Sequence, residues 1–223
     1  TDFSSKDGHL RACRASSPRI PKKLQENEDL SNLVAELTED IEGRLFTAQT
    51  AHEISKSLLD VQTCIFNQCI FRECDLHKSR FCDVEFRSCD LSNVKLHECP
   101  FNRVSFVDCK LMGTNFSEGT FNHVSFSHCS APYVIFSGSK FHHASFSESD
   151  MRRCAAENCA FGFTEFNQCN FTEAEFHQSK LRDIDLSTCE INGIRLTGNE
   201  LRGAVVNSMQ AVELAKLLGV IVV

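Results

Sequence analysis

From Phe66 onward a bulky apolar residue returns at every fifth position (Phe71, Leu76, Phe81, Phe86, Leu91, Leu96, Phe101), and the phase holds to Val206. Two places before each stands a small or β-branched residue: Cys64, Cys69, Cys74, Ser79, Val84, Cys89. The positions between are mostly Asn, Ser, Asp, Glu, Arg and His. A period of five matches neither the helix nor the flat strand, so neither element alone buries this set. Two inward side chains per five residues, one large and one small, need a chain that turns a corner after each five. Four corners close a square coil, and coils stack at the ~4.8 Å spacing of β-strands. The pattern over residues 64–208 therefore predicts an all-β solenoid, a rod of about seven coils and roughly 35 Å. Such units bury their apolar faces only against one another.

The flanks read differently, which divides the chain into 1–45, 46–206 and 207–223. Residues 1–23 have no periodicity and carry Pro18 and Pro21, which suits a leader or a surface strap. Over 24–45, Leu30, Leu33, Val34, Leu37 and Ile41 recur at helical spacing among Glu36, Glu39, Asp40 and Glu42. They predict an amphipathic helix or helix pair capping the first coil. Residues 46–63 keep the phase at Phe46, Ala51 and Val61 but place Lys56 where a plug belongs, so they form either an irregular coil, which is favoured, or a helix leading into the repeat. Ala131, Met151 and Ala156 are weak plugs, and repacking around them is favoured over distortion beside Pro132 and Tyr133. After 206 a helix capped by Asn207 or Ser208 runs to Gly219, followed by the apolar tail Val220–Val223.

Segments such as Cys169-Asn-Phe-Thr-Glu173 and Cys189-Glu-Ile-Asn-Gly193 carry a small residue, a polar one, Phe or Ile, then two more positions, the last sometimes Gly. This pattern resembles the pentapeptide-repeat family. The resemblance implies a right-handed quadrilateral β-helix, here with an N-terminal helical cap and a C-terminal helix. Within that family the chain resembles the Qnr-type quinolone-resistance branch, whose members are dimeric rods that imitate duplex DNA and bind type II topoisomerases, chiefly DNA gyrase. A homodimer joined tail to tail is then expected through Met209, Val212, Leu214, Leu217, Leu218, Val220, Ile221 and Val222. The chain departs from several of those relatives in having no insertion between coils over 64–208, which weakens the case for drug protection. Its N-terminal extension is a second departure.

Charge refines this expectation. The net charge is −7, which argues against direct binding to nucleic acid through phosphate neutralisation. Residues 157–190 hold Glu157, Glu165, Glu173, Glu175, Asp183, Asp185 and Glu190 against Lys180 and Arg182, an acidic window proposed as the partner-binding surface. The wall through Phe66, Phe86, Phe106 and Phe126 is acidic (Glu85, Asp108, Glu148, Glu165, Asp185), and the wall through Phe81, Phe101 and Phe121 is basic. An adaptor that binds another protein through its N-terminal segment or basic wall is the alternative reading.

The remaining chemistry is sparse. Of 13 cysteines, those at the small inward positions read as reduced structural thiols, and no Cys-x-x-Cys suggests zinc. A redox- or metal-responsive Cys ladder is a third, weaker reading. His77 with His97, and His123 with His143, fall on neighbouring rungs at outward positions and are expected to be solvated. No phosphate loop, nucleophile elbow or zinc-protease motif occurs, so no catalytic residue, metal or cofactor is expected. The first residues lack the apolar core of a secretory signal and no stretch is long enough to span a membrane, which predicts a cytoplasmic protein.

Overall fold

The computed structural model describes residues 15–26, 29–30, 40–217 and 219–221. It is a parallel β-solenoid in which every strand pairing from Ile41 onward steps by twenty residues. Strands β1 (Ile41–Glu42), β2 (Leu45–Thr47), β3 (Thr50–His52), β4 (Asp60–Gln62), β5 (Ile65–Asn67) and β6 (Ile70–Arg72) build the first coils. Then β7 (Arg80–Arg87), β8 (Pro100–Val107), β9 (Thr120–Ser127), β10 (Lys140–Ser147) and β11 (Ala160–Asn167) each cover two sides of the square in one long strand. Their registers match Phe81 to Phe101 to Phe121 to Phe141 to Phe161. The other two sides are tight turns joined by single bridges, such as Asp90 to Lys110 and Asn115 to Ile135.

The axis is filled as the period requires. Phe46, Phe66, Phe86, Phe106, Phe126 and Phe146 stack rung on rung with ring centroids 4.8–5.1 Å apart. Rings on adjacent walls meet edge to face, as Phe106 and Phe116 do at 5.8 Å. The weak plugs Ala131, Met151 and Ala156 are all buried, and the ladder continues through Ser130 to Asp150 to Asn170 without a break. Repacking is thus the outcome, with no distortion at Pro132.

The start of the rod corrects one expectation. Ile41 is a buried plug paired with Val61, and Gln25 bridges to Arg44, so the helix predicted over 24–45 gives way to solenoid by Ile41. Periodicity misled here because Leu37, Ile41 and Leu45 fit a helical stripe, while Ile41 equally fits the five-residue phase. Residues 31–39, the heart of the expected cap, lie outside the described residues. Leu30 is helical and buried, with its N–H on Gln49 Oε1 at 2.6 Å. The irregular coil expected over 46–63 is regular: β2 pairs with β5, β3 with β6 and β4 with β7. Lys56 sits half-buried at its plug position, with its backbone N–H held by Asp75 O at 2.8 Å. The C-terminal helix α1 (Ser208–Leu217) is present as expected.

Nearly every corner sets one residue in the left-handed region, among them Asn93, Asn158 and Phe163 at φ of 50–59°. That conformation costs roughly 1–2 kcal/mol outside Gly and Asn, and more for a β-branched residue. Asn158→Val is therefore expected to lower stability by about 1–2 kcal/mol while Asn158→Gly is neutral or better. Urea unfolding of the two variants checks this, and equal midpoints would show that the corner does not strain the chain.

Candidate functional site

Among the described residues the interior is packed with apolar plugs and small residues. The small inward positions carry hydrogen-bond donors aimed at carbonyls of the coil beneath: Cys89 Sγ to Phe66 O at 3.2 Å, Thr114 Oγ1 to Leu91 O at 2.8 Å, Ser179 Oγ to Ala156 O at 2.6 Å. Sequence reasoning took Cys as an apolar filler and missed this donor role, which Ser and Thr at equivalent positions signalled. Burial pushes the thiols of Cys64 and Cys159 up to about 11 and those of Cys99, Cys129 and Cys169 up to about 12. They stay protonated near neutral pH, and a thiol is a poor nucleophile or metal ligand in that form. The twelve described cysteines are all unbridged, and no group of three metal-ligating side chains converges among the described residues.

On the surface, residues twenty apart form columns along the rod. The acidic window is spread around the coil. Glu165 and Asp185 share one column of the acidic wall. Glu157 and Glu175 lie on a second side, Glu173 and Glu190 on a third, and Asp183 at the corner of the basic wall. Glu173 is tied to Arg153 at 2.7 Å and Glu175 to Arg195 at 2.7 Å, while Glu190 accepts from Asn170 Nδ2 at 2.6 Å. Asp183 is exposed with Arg182 3.8 Å away, and Asp185 accepts the Ser187 N–H at 2.8 Å. By the twenty-residue register Glu165 and Asp185 fall on neighbouring rungs of one column, while the other five are divided among the remaining sides and a corner. On the acidic wall Arg87 is bonded to Glu85 at 2.7 Å, and Glu148 lies 3.5 Å from His128 Nδ1.

The basic wall is less basic than its composition suggests. Asp83 is buried and takes two bonds from Arg103, at 2.7 and 2.6 Å, plus the Arg19 N–H at 2.7 Å. Burial alone would raise its pKa, but these donors hold it below the usual carboxylate range. His77 and His97 stack at 5.0 Å, and His123, His143 and Phe163 form a second column at 4.8 and 4.9 Å.

The C-terminal end carries two closures that the sequence did not disclose. Glu200 is buried and accepts from Gln178 N, Thr197 N and Thr197 Oγ1 at 2.8–3.0 Å. Asn207 and Gln210 bond reciprocally at 2.8 and 2.9 Å as a capping box, and Gln210 Nε2 also donates to Leu186 O and Cys189 O. Beyond them Met209, Val212, Leu217, Val220 and Ile221 are exposed, whereas Leu214 is half-buried against the core. Leu218 and Val222 lie outside the described residues.

A stack of five-residue sides with left-handed corners and two inward positions per side defines a quadrilateral parallel β-solenoid. Family models for a pentapeptide repeat region and for pentapeptide repeats match residues 79–152 and 149–187. Residues 79–187 of the chain thus carry pentapeptide repeats. Solved structures similar to it include a trypsin-treated form of QnrB1, a plasmid-mediated fluoroquinolone resistance protein. That likeness has 18% identity, covers 82% of this chain and 97% of that one, and has a TM-score of 0.37. HetL, involved in heterocyst differentiation regulation in the cyanobacterium Nostoc, is similar at 15% identity, covering 79% and 95%, with a TM-score of 0.25. No curated protein matches the chain significantly. No helix among the described residues is long and apolar enough to cross a membrane.

Proposed function

We propose that the protein acts without catalysis, as a dimeric cytoplasmic rod that binds DNA gyrase or a related type II topoisomerase in place of duplex DNA. The observation that carries this reading is the acidic wall, where Glu165 and Asp185 follow one another along the axis toward the C-terminal end. A basic DNA-binding saddle is attracted to a column of carboxylates spaced along a rod, and such attraction acts mainly on association rate and register. The exposed Met209, Val212 and Ile221 supply an apolar end on which a second copy would continue the column.

The spread of Glu157, Glu173, Glu175 and Glu190 over other sides, with Glu173 and Glu175 bonded to arginines, favours the second reading of an adaptor for another protein. A supercoiling assay with purified gyrase separates the two. The mimic inhibits supercoiling, and Glu165→Lys with Asp185→Lys weakens inhibition at least tenfold, while Glu173→Lys has a smaller effect. Val212→Glu with Ile221→Glu converts the dimer to a monomer in light scattering and weakens inhibition with it. Absence of inhibition by the unaltered protein leaves the adaptor.

A further inference from the structure

Residues 15–26 form a strap tied to the rod at three levels. At its base Gln25 N–H donates to Gly43 O at 2.8 Å, and Leu45 N–H donates to Gln25 O at 2.9 Å. Further along, Arg19 N–H donates to Asp83 Oδ1 at 2.7 Å and Ser16 N–H to His123 Nδ1 at 3.2 Å. Asp83 and His123 stand in one column, two rungs apart, with Arg103 between them. Three residues of strap thus cross about 10 Å, the reach of a fully extended chain, so Ser16 has no slack with which to find another acceptor.

The two upper tethers differ in kind. Burial works against the charge on Asp83, yet its Arg103 bonds and the Arg19 N–H hold its carboxyl below the usual carboxylate range. It therefore stays an acceptor in mild acid. His123 accepts only while Nδ1 is unprotonated, since both ring nitrogens of an imidazolium are donors. A proton there removes the bond and sets one N–H against another. The side chains on the strands beside the ring are cationic or become so in acid: Arg103 on β8, and Lys140, His142 and His143 on β10. The His143 ring stacks on that of His123 at 4.8 Å, and β9 carries no other charged side chain. The strap adds Arg19, Lys22 and Lys23, while its one acid, Glu26, lies at the far end beside Gln25. Burial, then His143, His142 and Arg103, hold the His123 pKa below its ordinary 6.5.

We propose that His123 is a proton-operated latch, whose neutral imidazole holds the strap down near neutral pH and whose protonation frees residues 15–18 while Asp83 keeps Arg19 in place. The sign follows from linkage. The latched ring binds a proton less well than a free one, so latching is complete above pH 6.5 and is lost as pH falls below it. Release uncovers the His123 ring edge at the corner it shares with Arg103. Gln25 and Arg19 remain as ties, so the strap opens from one end only.

Amide hydrogen exchange followed by NMR on the full chain tests the latch, each rate being divided by the intrinsic rate of that amide at the same pH. Ser16 is expected to lose about fivefold or more of its protection between pH 7.5 and pH 5.5, the worth of one hydrogen bond. The midpoint should follow the His123 imidazole resonances, which at pH 7.5 should report the Nε2–H tautomer, and Arg19 should keep its protection. In His123→Asn the side-chain oxygen stands close to where Nδ1 stood and accepts at any pH, so Ser16 is expected to be protected equally at both values. His123→Leu should leave it unprotected at both. Protection of Ser16 that does not change with pH in the unaltered protein, or an Nδ1–H tautomer at pH 7.5, would overturn the proposal. So would a pH-dependent loss that persists in His123→Asn, or an equal loss at Arg19, since the strap would then detach as a whole.

Discussion

Phe116→Ala is expected to lower the stability of the rod by about 3–5 kcal/mol, the range found when a buried aromatic side chain leaves a cavity. Phe116 is fully buried at the middle of the axis. Its ring stacks on Phe136 at 5.4 Å and meets Phe101, Phe106, Phe121 and Phe126 edge to face at 5.7–6.1 Å. A side chain near either end lets the terminal coil fray to relieve a void, but one in mid-stack cannot be vacated without separating the coils on each side. Phe116→Leu is expected to cost far less, about 1 kcal/mol, because Leu96 already fills the same column one rung below. Urea unfolding gives both values from the shift in midpoint at constant slope. A loss under 1 kcal/mol for the alanine variant would mean that the aromatic column is not close-packed.

The same column explains how much of the architecture could be read before the structure. The five-residue phase is a direct consequence of geometry, since each side has one central inward position and no neighbour can substitute for it. Phe66, Phe86 and Phe106 announce the stack because a misplaced large apolar residue would face water. The first coil was harder. Ile41, Phe46 and Ala51 keep the phase, but Lys56 interrupts it, and a helical stripe overlaps Ile41. What the surface does was far less legible. Outward positions bear no constraint from packing, so Glu165, Glu173 and Asp183 look alike in sequence although one lies on the acidic wall, one is bonded to Arg153 and one sits on the corner beyond Phe163. Pairing across rungs depends on residues twenty apart, and side-chain direction decides it. Asp83 and Glu200 illustrate the limit: both stand at outward positions of the five-residue phase, and both are buried acceptors.

Glu200 gives the second large effect, which is a dependence on pH. Burial alone would raise its pKa, yet the N–H donors of Gln178 and Thr197 and the Thr197 hydroxyl overcome burial and hold the carboxyl down at about 2, from an ordinary 4.5. Because the folded value lies below the unfolded one, the charged form stabilises the fold. That contribution is complete above pH 4.5 and is lost as pH falls toward about 2. The displacement corresponds to on the order of 3 kcal/mol. Glu200→Gln should therefore destabilise the protein by about 2–3 kcal/mol at pH 7 and much less at pH 3, since an amide nitrogen faces donors that a carboxylate oxygen accepts. Thermal unfolding of both proteins between pH 7 and pH 2.5 makes the comparison, with curves that converge as pH falls. The loss should begin at the C-terminal end, where Glu200 is held against the last coils and Gln210 ties α1 to Leu186 and Cys189. Parallel curves at all pH values would show that Glu200 is not a charged acceptor in the folded rod, and the stability of that end would then rest on Gln210 and the packing of Leu196 and Leu214.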